Sequence, residues 1–174
     1  MKKLTDPKVL TIAAMLTAIG IVLGLFKWPI NPFLEIRFGS LPISMAGYLF
    51  GPGIGAVVGA LCDIGGYIVR PTGPFFPGFT ISGIISGIIF GLVLYRQKPT
   101  FLRILAAFMI NAVVVGIFVN SLWLTFLYKL EAGYWATLVA RIPKELILAV
   151  ICTVIIFALT KALSRVLPTE STDK

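Results

Sequence analysis

Six apolar runs, each at or near the length that crosses a bilayer, constrain this chain more than any other feature. They fall at about 9–26, 41–52, 53–69, 78–95, 102–128 and 143–166. A helix needs roughly 20 apolar residues to span a hydrocarbon core. Backbone in lipid must satisfy its own hydrogen bonds, so runs of this length resolve as helices. Composition agrees, with 58% hydrophobic residues, 13% charged residues and a mean hydropathy of +0.99. Soluble domains carry about 25% charged residues. The expected fold is an all-α integral membrane protein, a single six-helix transmembrane domain over residues 1–174. The first run is too long for the apolar core of a secretory signal and lacks a small-x-small site after it, so it reads as a retained span.

Six spans put both termini on one side. Nine cations then share that side: Lys2, Lys3, Lys8, Arg96, Lys98, Arg103, Lys161, Arg165 and Lys174. Lys27, Arg37, Arg70, Lys129, Arg141 and Lys144 fall on the other. The excess places the termini in the cytoplasm of a cell with a multi-pass protein in its membrane. The net charge of +8 punctuates the ends of apolar runs and forms no patch, so it does not indicate nucleic acid. Small residues recur at four-residue spacing as Ala14 and Ala18, Gly20 and Gly24, and Gly83, Gly87 and Gly91. In lipid such stripes let helices approach closely. Packing inside the chain is the default expectation, and a partner helix on the first-span stripe is the sharper one. Cys62 and Cys152 lie in apolar runs and read as small buried hydrophobes.

What is missing narrows the function. The chain contains no histidine, which removes most metal-dependent and Ser-His or Cys-His hydrolases. It has no G-x-x-x-x-G-K-[ST], so it does not hold ATP by a P-loop. "GPGIGAVVGA" at 51–60 lacks the lysine and reads as a helix junction. No cofactor is expected.

One charge lies inside a span. Asp63 belongs to a series, Gly55, Gly59, Asp63, Gly66 and Arg70, that shares one face of the third helix. An intramembrane carboxylate is costly unless it is paired or faces a cavity, which makes it a functional candidate. The alternative is a structural hydrogen bond to a neighbouring helix, through Asn111 or Ser82. Arg37, in the first outer loop, and Arg70, at the start of the second, stand on the face that should be poor in positive charge. Asn120 and Trp123 sit one turn apart near the outer end of the fifth span, and Arg141, Lys144 and Glu145 open the sixth. Cations converging with aromatic planes suit a flat, anionic aromatic ligand. Membrane-interface aromatics can equally be a simple belt.

The second outer loop, "RPTGPFFPGFTISG" at 70–83, is stiffened by three prolines and carries three phenylalanines. With "LPISMAGYLFGPGIGAVVGALCDIGGYIV" before it and "SGIISGIIFGL" after it, the chain resembles the substrate-binding S components of energy-coupling factor (ECF) vitamin transporters. "GPFFPGFT" is similar to the folate-specific branch. The resemblance implies a bundle that captures folate from outside and associates with a transmembrane coupling subunit and two ATPase subunits. It implies that Ala14 and Ala18 meet the coupling subunit and that the loops at 27–40 and 70–77 gate the pocket. It further implies that Asp63 reads the amino-pyrimidine edge of a pterin, that Phe75, Phe76 and Trp123 form stacking walls, and that Tyr67, Thr72 and Asn120 orient the ligand. Arg37, Arg70 or Lys144 would pair with the glutamate tail. Pantothenate, a hydroxymethylpyrimidine, and a ligand-free structural subunit are the alternatives.

Overall fold

The computed structural model describes residues 6–25, 28–31, 34–36, 38–71, 75–128 and 133–166. Helix α1 runs Pro7–Leu25, followed by two short strands, β1 (Trp28–Asn31) and β2 (Leu34–Ile36). Then come α2 (Ser40–Phe50), α3 (Pro52–Val69) and α4 (Pro77–Leu94). The fifth span is α5 (Phe101–Asn111), a π-helical segment (Ala112–Val119) and α6 (Asn120–Tyr128) in unbroken succession. Helix α7 covers Gly133–Val166.

Among the described residues, five helical stretches are long and apolar enough to cross a membrane: Pro7–Leu25, Pro52–Val69, Pro77–Leu94, Phe101–Phe126 and Arg141–Ala162. The second expected run, at 41–52, is the short helix α2. Its 11 residues give about 16 Å at about 1.5 Å per residue, roughly half a hydrocarbon core. It is cut short at Gly51, where φ is 95°, a conformation that side chains disfavour. The Gly51 N–H donates to the Gly47 carbonyl at 3.0 Å, closing α2. Pro52 then opens α3, where its missing N–H costs nothing.

Two further features add to the apolar pattern. The apolar pattern starts the sixth span at 143, but α7 begins at Gly133 and carries Pro143 inside it. Proline marks helix starts because it lacks an N–H, but one interior bond can be forgone when the flanking residues hold the helix. The 34 residues of α7 give about 51 Å, more than the roughly 30 Å of a hydrocarbon core, so one end projects beyond it. A small hairpin accompanies the all-α bundle. Strands β1 and β2 pair antiparallel, Trp28 opposite Ile36 and Asn31 opposite Leu34, with a register shift between Pro29 and Asn31. Strand β2 lies against α7.

Glycine decides the packing of the central pair. A Cβ on Gly55 would lie 2.7 Å from the Gly87 carbonyl oxygen, and one on Gly83 would lie 2.6 Å from that of Gly59. Helices α3 and α4 therefore touch backbone to backbone, antiparallel, and the Gly83-Gly87-Gly91 stripe is used within the chain. No hydrophobic drive pulls helices together in lipid, so this dispersion contact does the work. Around it Val58, Phe90, Leu94, Ile104, Ala107, Cys152 and Ile156 are nearly or fully buried. The Phe90 and Phe108 rings pack at 4.8 Å. Both cysteines are free and buried, as expected.

Helix α1 is attached along one side only. Ala13 and Gly20 are its buried residues, with Gly20 seated on Cys62 of α3 and Pro42 of α2. Ala14 and Ala18 are exposed.

Candidate ligand-binding site

Chemistry gathers at the end of the bundle where α3 finishes, α4 begins and α6 runs toward α7. Asp63, on the last turns of α3, is half-buried, and its Oδ2 accepts a hydrogen bond from Thr80 Oγ1 of α4 at 2.8 Å. Neither Asn111 nor Ser82, the partners the sequence offered, fills that place. Asn111 Oδ1 is buried without a hydrogen-bond partner among the described residues. One turn beyond Asp63, Tyr67 meets Phe75 edge to face at 5.1 Å. Phe75 is 48% exposed and so presents much of its ring outward.

A second cluster joins α4 to α6. Trp123 Nε1 donates to Ser82 Oγ at 3.2 Å, and Ser82 Oγ donates to Asn120 Oδ1 at 2.8 Å. The serine hydroxyl has one proton, and the Gly78 carbonyl at 3.2 Å is its longer option. The relay from indole to hydroxyl to amide fixes the planes of Trp123 and Asn120 and leaves the amide N–H groups for another acceptor. Phe76 lies 5.5 Å from Trp123 and 6.0 Å from Phe79. Gly78 is buried beneath them, where any Cβ would run into the Phe76 and Trp123 rings. The π-helical segment before Asn120 bears on this arrangement. Each residue inserted into a helix rotates the downstream turns by about 100°, so a π segment re-aims the α6 side chains.

The third cluster is cationic and anionic together. Lys144 Nζ is 2.8 Å from Glu145 Oε1, with side chains 9% and 13% exposed. Arg141 is buried, its Nη1 3.5 Å from the Gly116 carbonyl. Gly116 makes room for the neighbouring carboxylate, since a Cβ there would lie 2.7 Å from Glu145 Oε2.

Arg70 has a structural task. Its Nη1 donates to the Leu25 carbonyl at 2.7 Å, capping the C-terminal end of α1 with a positive charge. The expected continuous face of α3 is therefore divided. Gly55 and Gly59 serve the α4 contact, Arg70 reaches α1, and Asp63 remains at the site. Arg37 and Thr72 lie outside the described residues. Of the other expected residues, Asp63, Tyr67, Phe75, Phe76, Asn120 and Trp123 fall into the first two clusters, and Lys144 into the third. Thr80, Ser82, Gly78 and Gly116 take part, although the sequence pattern assigns none of them a ligand-site role.

The chain as a whole is similar to known proteins. Residues 8–160 match the family model described as ECF transporter, substrate-specific component. A folate transporter, FolT, of Clostridium novyi is 33% identical over 152 residues, covering 87% of each chain. A FolT of Leuconostoc mesenteroides is 28% identical over 143 residues, covering 82% of this chain and 76% of the relative. Among solved structures, FolT bound with folic acid superposes with a TM-score of 0.79 at 28% identity, covering 88% of this chain and 93% of that one. The S component for biotin from an ECF-type ABC transporter gives 0.66 at 25% identity, covering 88% and 91%. The chain belongs to the substrate-specific components of ECF transporters.

Proposed function

We propose that this protein is the membrane-embedded folate-binding subunit of an ECF-type transporter. The observation that carries the reading is Asp63 held by Thr80 at the mouth of an aromatic-walled end of the bundle. Two FolT relatives and a folic-acid-bound structure of the same fold support it, and the biotin-binding neighbour superposes less well.

The chemistry rests on the ligand's parts. A pterin carries an amino-pyrimidine edge with two donors side by side, which a carboxylate accepts through both oxygens. The Thr80 hydroxyl holds one Asp63 oxygen and orients the other. Phe76 and Trp123 supply planes for the ring system, Phe75 and Tyr67 close one side, and Asn120 offers amide donors. Thr72 is assigned as a further orienting hydroxyl. The glutamate tail is dianionic, so its place is away from Glu145 and near cations. Arg37 and Arg70 are assigned to it first. Lys144 is already neutralised by Glu145 and contributes only by exchanging partners.

Energy enters from other subunits. The transmembrane coupling subunit docks on the exposed small-residue side of α1 at Ala14 and Ala18, and two ATPase subunits bind and hydrolyse ATP. Both termini face the cytoplasm, and the ligand site opens to the outside. Thermal-shift measurement of detergent-purified protein tests the ligand. Folate should raise Tm as RT ln(1 + [L]/Kd) requires, whereas pantothenate, hydroxymethylpyrimidine and biotin should leave it unchanged. A response to none of them would favour a ligand-free structural subunit.

A further inference from the structure

At the opposite end of the bundle, the α4–α5 connection forms an open groove of about 630 Å³ lined by Arg96, Gln97, Lys98, Thr100, Leu102 and Arg103. The stretch "YRQKPTFLR" at 95–103 contains three cations and no acid. A topological bias toward Lys and Arg accounts for the charge, but not for how it is held. Arg96 adopts a left-handed backbone, φ 56°. Its Nε donates to the Tyr95 hydroxyl at 3.1 Å, and its guanidinium lies 5.3 Å from the centre of that ring. Arg103 Nη1 donates to Gln97 Oε1 at 2.6 Å. Two guanidiniums are thus set in place around the groove, each with donors to spare. Thr100 begins α5 without a side-chain cap, so the positive end of the helix faces the same space.

The groove is also joined to an apolar surface. Leu102, one of its lining residues, is 76% exposed, and the adjacent Phe101 is 39% exposed. Both stand at the first turn of a membrane-spanning stretch, Phe101–Phe126. Cations, a helix N-terminus and an exposed leucine at the start of the hydrocarbon zone suit a ligand that is phosphate at one end and acyl chain at the other.

We propose that this groove is a binding site for an anionic phospholipid, its phosphate held by Arg96, Lys98 and Arg103 and its acyl chain lying along Leu102. The site is separate from the ligand cluster and independent of which vitamin the protein carries.

The test is native mass spectrometry of the full-length protein released from mixed micelles of phosphatidylglycerol and phosphatidylcholine. The wild type should retain phosphatidylglycerol preferentially. Neutralising Arg96→Gln, Lys98→Gln and Arg103→Gln one at a time should weaken retention about fivefold each, with Tm unchanged because all three side chains are exposed. Leu102→Asn should also reduce it, through the acyl contact. Equal retention of the two lipids by the wild type would overturn the proposal without recourse to any variant. So would displacement of the lipid by millimolar inorganic phosphate together with full retention by Leu102→Asn, which would identify a free-anion site.

Discussion

In the proposed function Asp63 is the residue on which recognition turns, and its environment sets what its loss should cost. Hydrogen bonds to a charged group contribute about 1.5–3 kcal/mol, or roughly ten- to a hundredfold in affinity. Asp63→Asn should therefore weaken folate binding by that factor, as read by calorimetry, while shifting Tm little, because an amide can still accept from Thr80. Trp123 separates two contributions. Trp123→Phe keeps a ring plane but removes the N–H that donates to Ser82, so it should lose less affinity than Trp123→Ala. The alanine variant loses stacking as well, worth about 0.5–1.5 kcal/mol beyond buried area. Equal losses in the two variants would mean that stacking contributes nothing. Asp63 is legible in the sequence because a carboxylate amid apolar residues is an anomaly. Thr80 is not, and Ser82 is legible only as a partner for Asp63, where the structure gives it Asn120 and Trp123. Hydroxyls in helices commonly bond to a carbonyl of their own helix, as Thr11, Thr17, Thr125, Thr153 and Thr160 do here. Nothing in the letters distinguishes those from the two that reach across to another helix.

The glycine faces of α3 and α4 give the sharpest prediction for an element. Gly55→Ala would press a methyl group against the Gly87 carbonyl, and overpacking of this kind costs about 1–3 kcal/mol. Its Tm should fall, whereas Gly53→Ala, with nothing within 4 Å of the new Cβ, should leave Tm unchanged or slightly raised. A rise in Tm for both would mean that the gain in helix propensity outweighs the interhelical contact. The four-residue spacing of Gly83, Gly87 and Gly91 announces this contact, because close approach needs small residues in that rhythm. The start of α7 is hidden because Pro143 has the local signature of a helix opening, and only packing along α5 and the π-helical segment shows that the helix runs through it. The break at Gly51 is visible in "FGPGIG". That α2 stops well short of a bilayer's thickness follows from that break, and the short run at 41–52 already shows it.

For the molecule as a whole, the proposed function puts ligand capture and energy coupling on different surfaces. The binding end is built from α3, α4 and α6, while Ala14 and Ala18 lie on the exposed side of α1. Replacing either alanine with tryptophan should leave folate affinity of the purified protein unchanged. In cells that supply the coupling and ATPase subunits, folate uptake should drop at least about tenfold, since a bulky side chain blocks the close helix approach that small residues permit. Uptake at the wild-type rate would move the docking surface elsewhere. The bundle itself is legible from hydropathy because lipid imposes length and internal hydrogen bonding on every span. The division of labour along α3 is not, since one helical face serves α4, α1 and the ligand site in turn. Folate capture at the Asp63 site is tested most directly by calorimetric titration of folate into detergent-purified protein. The expected result is saturable one-to-one binding tighter than about 1 μM, a free energy of about −8 kcal/mol, lost or weakened in Asp63→Asn. No heat of binding for folate, with saturation by pantothenate or biotin under the same conditions, would contradict it.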